Sequence, residues 1–147
     1  KSCLYDNNKI ELINLESSGL LKNTITFARS CDSLVELGET AVKNGCHSFV
    51  GYKKKFLIPR WHKTTCKPLN DLAAEPILKC SNIVASQLIR GKTVQKAVDQ
   101  SHKETAKEIV KLIYSEEPYA SPALRALIHN DSALDFKGES SSKIKNS

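Results

Sequence analysis

Cys31 is the residue of this chain whose neighbours best equip it for chemistry. It follows the apolar, β-branched run Thr24-Ile25-Thr26-Phe27-Ala28 and precedes Ser33-Leu34, where a helix is expected to begin. A thiol between the carboxyl end of a buried strand and a helix N-terminus meets unpaired backbone N–H groups and the positive end of the helix dipole. Both favour the thiolate, and the same N–H groups can stabilise an oxyanion. Arg29 adds a positive charge nearby, and Asp32 partly opposes it. This is a reasonable setting for a nucleophile. The competing reading is a small buried side chain tucked under the first helical turn.

A cysteine nucleophile needs a base, usually histidine. His47 stands where a second apolar strand, Ser48-Phe49-Val50-Gly51, begins. That places it a strand length of roughly 13 Å from the carboxyl end, at 3.3 Å per residue, and so toward the wrong edge of the sheet. His62 lies in the loop after that strand, on the correct edge. His102 falls within a helix, and His129 follows one with no evident link to Cys31. The five cysteines, Cys3, Cys31, Cys46, Cys66 and Cys80, include no C-x-x-C pair. Neither a disulfide framework nor a four-ligand zinc site is encoded by their spacing, and His62 with Cys66 supplies only two ligands. No metal and no cofactor is expected. Reduced thiols of this kind suit the cytoplasm.

Ser2–Tyr5 and Lys9–Ile13 flank Asp6-Asn7-Asn8, which reads as a small hairpin. Ser17–Leu21 suits a short helix. Residues 24–28 read as a buried strand. Ser33 and Glu36 have capping-box spacing, with Leu34, Leu37 and Ala41 on one helical face. Gly45 suits a left-handed C-cap. Strand, helix and strand at this spacing form a compact βαβ unit, so the two strands should be parallel. The basic stretch 53–69 is a long loop. Pro76 opens a helix with Ile77, Cys80, Val84 and Leu88 on one face, and Gly91 breaks it. Thr93 caps the next helix, with Val94, Ala97, Ala106, Ile109, Val110 and Ile113 facing inward. Ser121-Pro122 starts a short helix to about Ile128, and Ala133–Lys137 suits a last strand.

The length of 147 residues fits one domain with a core of its own, and no apolar run approaches the ~20 residues of a membrane span. The expected organisation is an α/β domain over 1–137 and a disordered Ser-, Lys- and Asn-rich tail over 138–147. No signal-peptide pattern opens the chain, which starts at Lys1 and contains no Met. It reads as a piece of a longer protein. The net charge of +6 admits nucleic acid or an acidic partner without selecting either.

The stretch ITFARSCDSLVELGETAVKNGCHSFVGY, from Ile25 to Tyr52, resembles the CHAT-type caspase-like cysteine peptidases, relatives of caspases, separases and gingipains. The resemblance rests on Ser30-Cys31 at the end of an apolar strand, on Leu37-Gly38 in the following helix, and on Gly45-Cys46 leading to a strand that ends in Val50-Gly51. Leu134–Glu139 is similar to the family's closing strand, with Glu139 in place of Asp. The resemblance implies a three-layer caspase-like α/β sandwich with a short, mainly parallel sheet and helices on its faces. It implies a thiol endopeptidase acting on a peptide or protein substrate, with a sensor or regulatory partner. Cys31 would be the nucleophile and its N–H one oxyanion donor. Arg29, Ser30, Asp32, Gly51 and Tyr52 would border the substrate. The family's His-Gly is expected upstream of Lys1 and is missing here.

Two other readings compete with a peptidase fragment. One is an inactive caspase-like regulatory domain. The other is a nucleic-acid module built on Lys53, Lys54, Lys55, Arg60, Lys63 and Lys67, interleaved with Tyr52, Phe56 and Trp61. A solvated loop with Phe56 and Trp61 folded onto the core is the simpler account of those residues, so nucleic acid is disfavoured.

Overall fold

The computed structural model describes residues 3–5, 8–59 and 71–144. Arg60, Trp61, His62, Lys63, Cys66 and Lys67 of the basic loop lie outside the described residues, as do residues 145–147 of the tail. The chain has a mixed α/β fold. Strands β1 (Leu4–Tyr5) and β2 (Glu11–Ile13) form an antiparallel ribbon, and a 3-10 helix spans Ser17–Leu21. Strand β3 (Ile25–Phe27) is followed by a π-turn, Leu34–Gly38, that runs directly into α1 (Glu39–Lys43). Next come β4 (Ser48–Tyr52), α2 (Glu75–Ile89), α3 (Val94–Ile113), α4 (Ala120–Ala133) and β5 (Leu134–Gly138).

The βαβ unit forms as the pattern predicts. β3 and β4 pair in parallel, with Thr26 opposite Phe49. Between them α1 is followed by Asn44 and by Gly45, whose φ of +98° lets the chain turn back. The Cys46 N–H reaches the Ala41 carbonyl and the Gly45 N–H reaches Val42, which satisfies the last carbonyls of the helix. Alternation along β4 separates two cores. Phe49 packs with Leu34, Leu37 and Ala41 on one face of the sheet. Val50 and Tyr52 pack with Val84, Leu88, Val94 and Val98 on the other. A third cluster, including Ile77, Leu112 and Leu127, joins α2, α3 and α4.

Three expectations are corrected. The three-stranded sheet, in the order β3-β4-β5, is mixed rather than mainly parallel, because β5 runs antiparallel to β4. α4 extends past Ile128 to Ala133 and passes into β5 with no intervening loop. The chain therefore enters β5 opposite Tyr52, at the end where β4 leaves, and has to run the other way. On α3 the buried stripe is Val94, Ala97, Val98, Ser101, Thr105, Glu108 and Leu112, whereas Ala106, Val110 and Ile113 face solvent. Beyond β5 the chain also bonds back to the domain. The Glu139 N–H bonds the His47 carbonyl, and the carbonyls of Ser140 and Ser142 accept from Gln95 and Val94. Those two N–H groups belong to the first turn of α3 and have no partner within the helix.

Candidate active site at the Cys31 turn

The parallel ladder between β3 and β4 stops short at its carboxyl end. The Ala28 N–H donates to the Val50 carbonyl at 3.0 Å. In a regular parallel ladder the Tyr52 N–H would next bond the Ala28 carbonyl. Instead the Ser33 hydroxyl stands between them, accepting from the Tyr52 N–H at 3.3 Å and donating to the Ala28 carbonyl at 3.2 Å. The expected Ser33 cap is therefore not formed, because the side chain is turned back into the sheet. Gly51 leaves room for it: a Cβ there would lie 2.6 Å from the Ser33 oxygen. The hydroxyl acts as a wedge that holds the end of β3 off β4.

Cys31 sits on the turn beyond this wedge. Its side chain is exposed, which removes the reading of a buried filler under the helix. Among the described residues nothing accepts the Cys31 N–H. The next residue, Asp32, adopts a left-handed φ of +53° and donates its N–H to the Lys54 carbonyl at 3.2 Å. The π-turn follows, closed by the Gly38 N–H on the Ser33 carbonyl at 3.0 Å. A left-handed non-glycine residue beside a π-turn is the kind of local irregularity that concentrates at functional sites.

Arg29, Ser30 and Asp32 share this edge with Cys31. Arg29 is exposed and reaches across to α2, donating to the Asn82 side-chain oxygen at 2.8 Å. Gly51 and Tyr52 do not share it. Both are buried, and they form the floor beneath the turn rather than a rim. The Tyr52 hydroxyl meets Ser81 at 2.9 Å, and burial raises its pKa above the ordinary phenol value. Its ring packs on Phe56 with centroids 4.7 Å apart, so Phe56 does fold back onto the core. Lys53 pairs with Asp135 at 2.9 Å.

No described histidine is positioned against the thiol. His47 immediately precedes β4, at the opposite end of the sheet, as the strand count predicts. His102 bonds Asp131 at 2.7 Å, which raises its pKa against the opposing effect of burial. His129 is a partial correction. It lies within α4, and its Nε2 meets the Lys55 carbonyl at 2.9 Å. Consecutive carbonyls, Lys54 and Lys55, thus tie the Cys31 turn and His129 to one backbone segment. That link was invisible in sequence because it crosses between elements about a hundred residues apart. Among the described residues no cluster of three His, Cys, Asp or Glu side chains could hold a metal ion, and no helix is long and apolar enough to cross a membrane.

No family model, curated protein or solved structure matches the chain. Any functional assignment therefore stands on a mixed α/β fold with an exposed thiol on a strained turn at the carboxyl end of its parallel strand pair.

Proposed function

We propose that this chain is the C-terminal part of the catalytic domain of a caspase-like cysteine endopeptidase, with Cys31 as its nucleophile. The supporting observation is the exposed Cys31 thiol just past the carboxyl end of β3, a strand with β4 on one side and no described strand on the other. A further parallel strand against that open edge would end beside Cys31, roughly 5 Å away in the pairing direction. The base is a histidine brought there by the segment expected upstream of Lys1. It takes the thiol proton, and the thiolate adds to the scissile carbonyl. The Cys31 N–H stabilises the oxyanion, and the amine leaves with the proton from the imidazolium. Water then hydrolyses the thioester. Arg29, Ser30 and Asp32 border the peptide, and neither metal nor cofactor takes part. A sensor or regulatory partner and a cytoplasmic setting belong to the same reading.

An inactive caspase-like regulatory domain is the second reading. It is favoured by the placement of His47, His102 and His129, none of which faces the thiol. Cleavage of a fluorogenic peptide library by the protein carrying its natural preceding residues separates the two. The peptidase reading expects cleavage that Cys31→Ala abolishes. Cleavage that survives Cys31→Ala contradicts it, and a folded protein that cleaves nothing transfers support to the regulatory domain.

A further inference from the structure

A second surface, where α2 meets α3, brings three lysines together in one groove. A groove of about 290 Å³ runs where α2 hands over to α3, lined by Gln87, Lys92, Lys96, Asp99, Gln100 and Lys103. The three lysines are exposed, and among the described residues none of them is in an ion pair. From Glu104 onward along α3 the arrangement is the opposite. Glu104 and Glu108 there hold Lys79, Lys107 and Lys111 at 2.7–3.3 Å. Asp99 is the one acidic side chain in the groove lining, and its carboxylate already accepts from Gln95 at 2.8 Å.

The corner that presents these lysines is closed by backbone and side-chain hydrogen bonds. α2 closes with the Gly91 N–H on the Leu88 carbonyl and the Lys92 N–H on the Gln87 carbonyl, with Gly91 at a left-handed φ of +72°. Thr93 then caps α3 through the Lys96 N–H. Lys96 and Lys103 are two helical turns apart, so they share a face, separated by roughly 10 Å at 1.5 Å per residue. No aromatic or large aliphatic side chain lines the groove. A protein partner would be expected to find apolar anchors, and lysine is depleted at such interfaces. A single strand would be expected to find rings to stack on. A DNA duplex needs neither, since it presents one phosphate charge per ~1.7 Å of axis to any rigid row of cations.

We infer that the α2–α3 groove binds the phosphate backbone of duplex DNA through Lys92, Lys96 and Lys103, without reading sequence. This site is independent of the peptidase reading. The test is fluorescence anisotropy of a labelled 20-base-pair duplex with the 147-residue chain at 50, 100 and 200 mM KCl. Non-specific binding of this kind has a Kd of roughly 1–100 μM. Three phosphate contacts give a salt slope of about −2.7, hence a roughly 40-fold weakening between 50 and 200 mM. Lys92→Gln/Lys96→Gln/Lys103→Gln is expected to abolish the binding, and the matching triple Arg variant to keep it. Lys9→Gln/Lys22→Gln/Lys43→Gln, exposed lysines outside both the groove and the basic loop with the same change in net charge, is expected to bind within about 3-fold of wild type, as three remote, screened charges should. Absence of binding at 50 mM overturns the inference. So does an equal loss in both Gln triples, which would mean attraction by net charge alone. Equal affinity for poly-glutamate would overturn the assignment to DNA.

Discussion

Gly51→Ala probes the wedge beneath Cys31. The new methyl would lie 2.6 Å from the Ser33 oxygen, 3.3 Å from the Phe49 ring and 3.5 Å from the Leu34 nitrogen. Gly51 has no positive φ, so backbone strain is not involved and the whole effect is steric. The Ser33 hydroxyl must leave, because the two other neighbours are ring and backbone. Overpacking a filled core costs about 1–3 kcal/mol. Leaving the buried Tyr52 N–H without its acceptor adds about 1–3 kcal/mol. The sum is about 2–4 kcal/mol, allowing for partial relaxation toward a direct Tyr52–Ala28 bond. For a chain of this size that is a fall in Tm of roughly 5–15 °C. Ser33→Ala alone should cost about 1 kcal/mol, since the ladder can close over the missing hydroxyl. The double variant Ser33→Ala/Gly51→Ala removes the clash, so it should be at least 1 kcal/mol more stable than the sum of the single effects. Urea unfolding of the four proteins gives the cycle. Additive costs, or a Gly51→Ala protein as stable as wild type, would refute the account of the wedge.

Further outcomes follow from other contacts. His102 has its pKa raised above 6.5 by the hydrogen bond to Asp131, against burial and with help from the Asp131, Asp99 and Asp135 charges. Its contribution is fully present below the unfolded value and is lost as pH rises through the folded one. Stability should therefore decline from about pH 6.5 upward, and His102→Gln should flatten that part of a thermal-melt pH series. Thr93→Ala removes the α3 cap and should cost roughly 0.5–2 kcal/mol in urea titration. Ending the chain after Gly138 removes the Ser140 and Ser142 carbonyls, so the Val94 and Gln95 amides should exchange hydrogen much faster while the centre of α3 stays protected.

The residues that made the βαβ unit legible are those whose local and tertiary preferences agree. Thr24–Ala28 and Ser48–Gly51 are apolar and β-branched, Leu34, Leu37 and Ala41 keep helical spacing, and Gly45 can only be a turn. Each became what its pattern implied. On α3 the two kinds of information disagree. The spacing begun by Val94, Ala97 and Val98 continues through Ser101, Thr105 and Glu108, but their polarity hides it. Ser101 and Thr105 are satisfied by the Cys80 and Ser101 carbonyls, and Glu108 by Lys79 and Lys111. The apolar Val110 and Ile113 consequently looked like core. At the site, the place of Cys31 at a strand end was legible, because it follows from the chain order of strand and helix. The Ser33 wedge was not, since Ser33 and Glu36 spell a capping box and only the third dimension brings Tyr52 and Ala28 to the same hydroxyl. The burial of Gly51 and Tyr52 was obscured for a related reason. A residue at a strand end is exposed or covered according to what crosses over it, and here Ser33, Phe56 and Ser81 do so.

The central claim is the reactivity of Cys31, and alkylation by iodoacetamide followed peptide by peptide tests it most directly. The protein with its natural preceding residues would be labelled across pH 5–9. The account predicts that Cys31 reacts well ahead of Cys3 at neutral pH. Cys46 and Cys80, which are buried, should stay unlabelled until unfolding. A Cys31 rate no faster than that of Cys3 would contradict the assignment of Cys31 as a nucleophile.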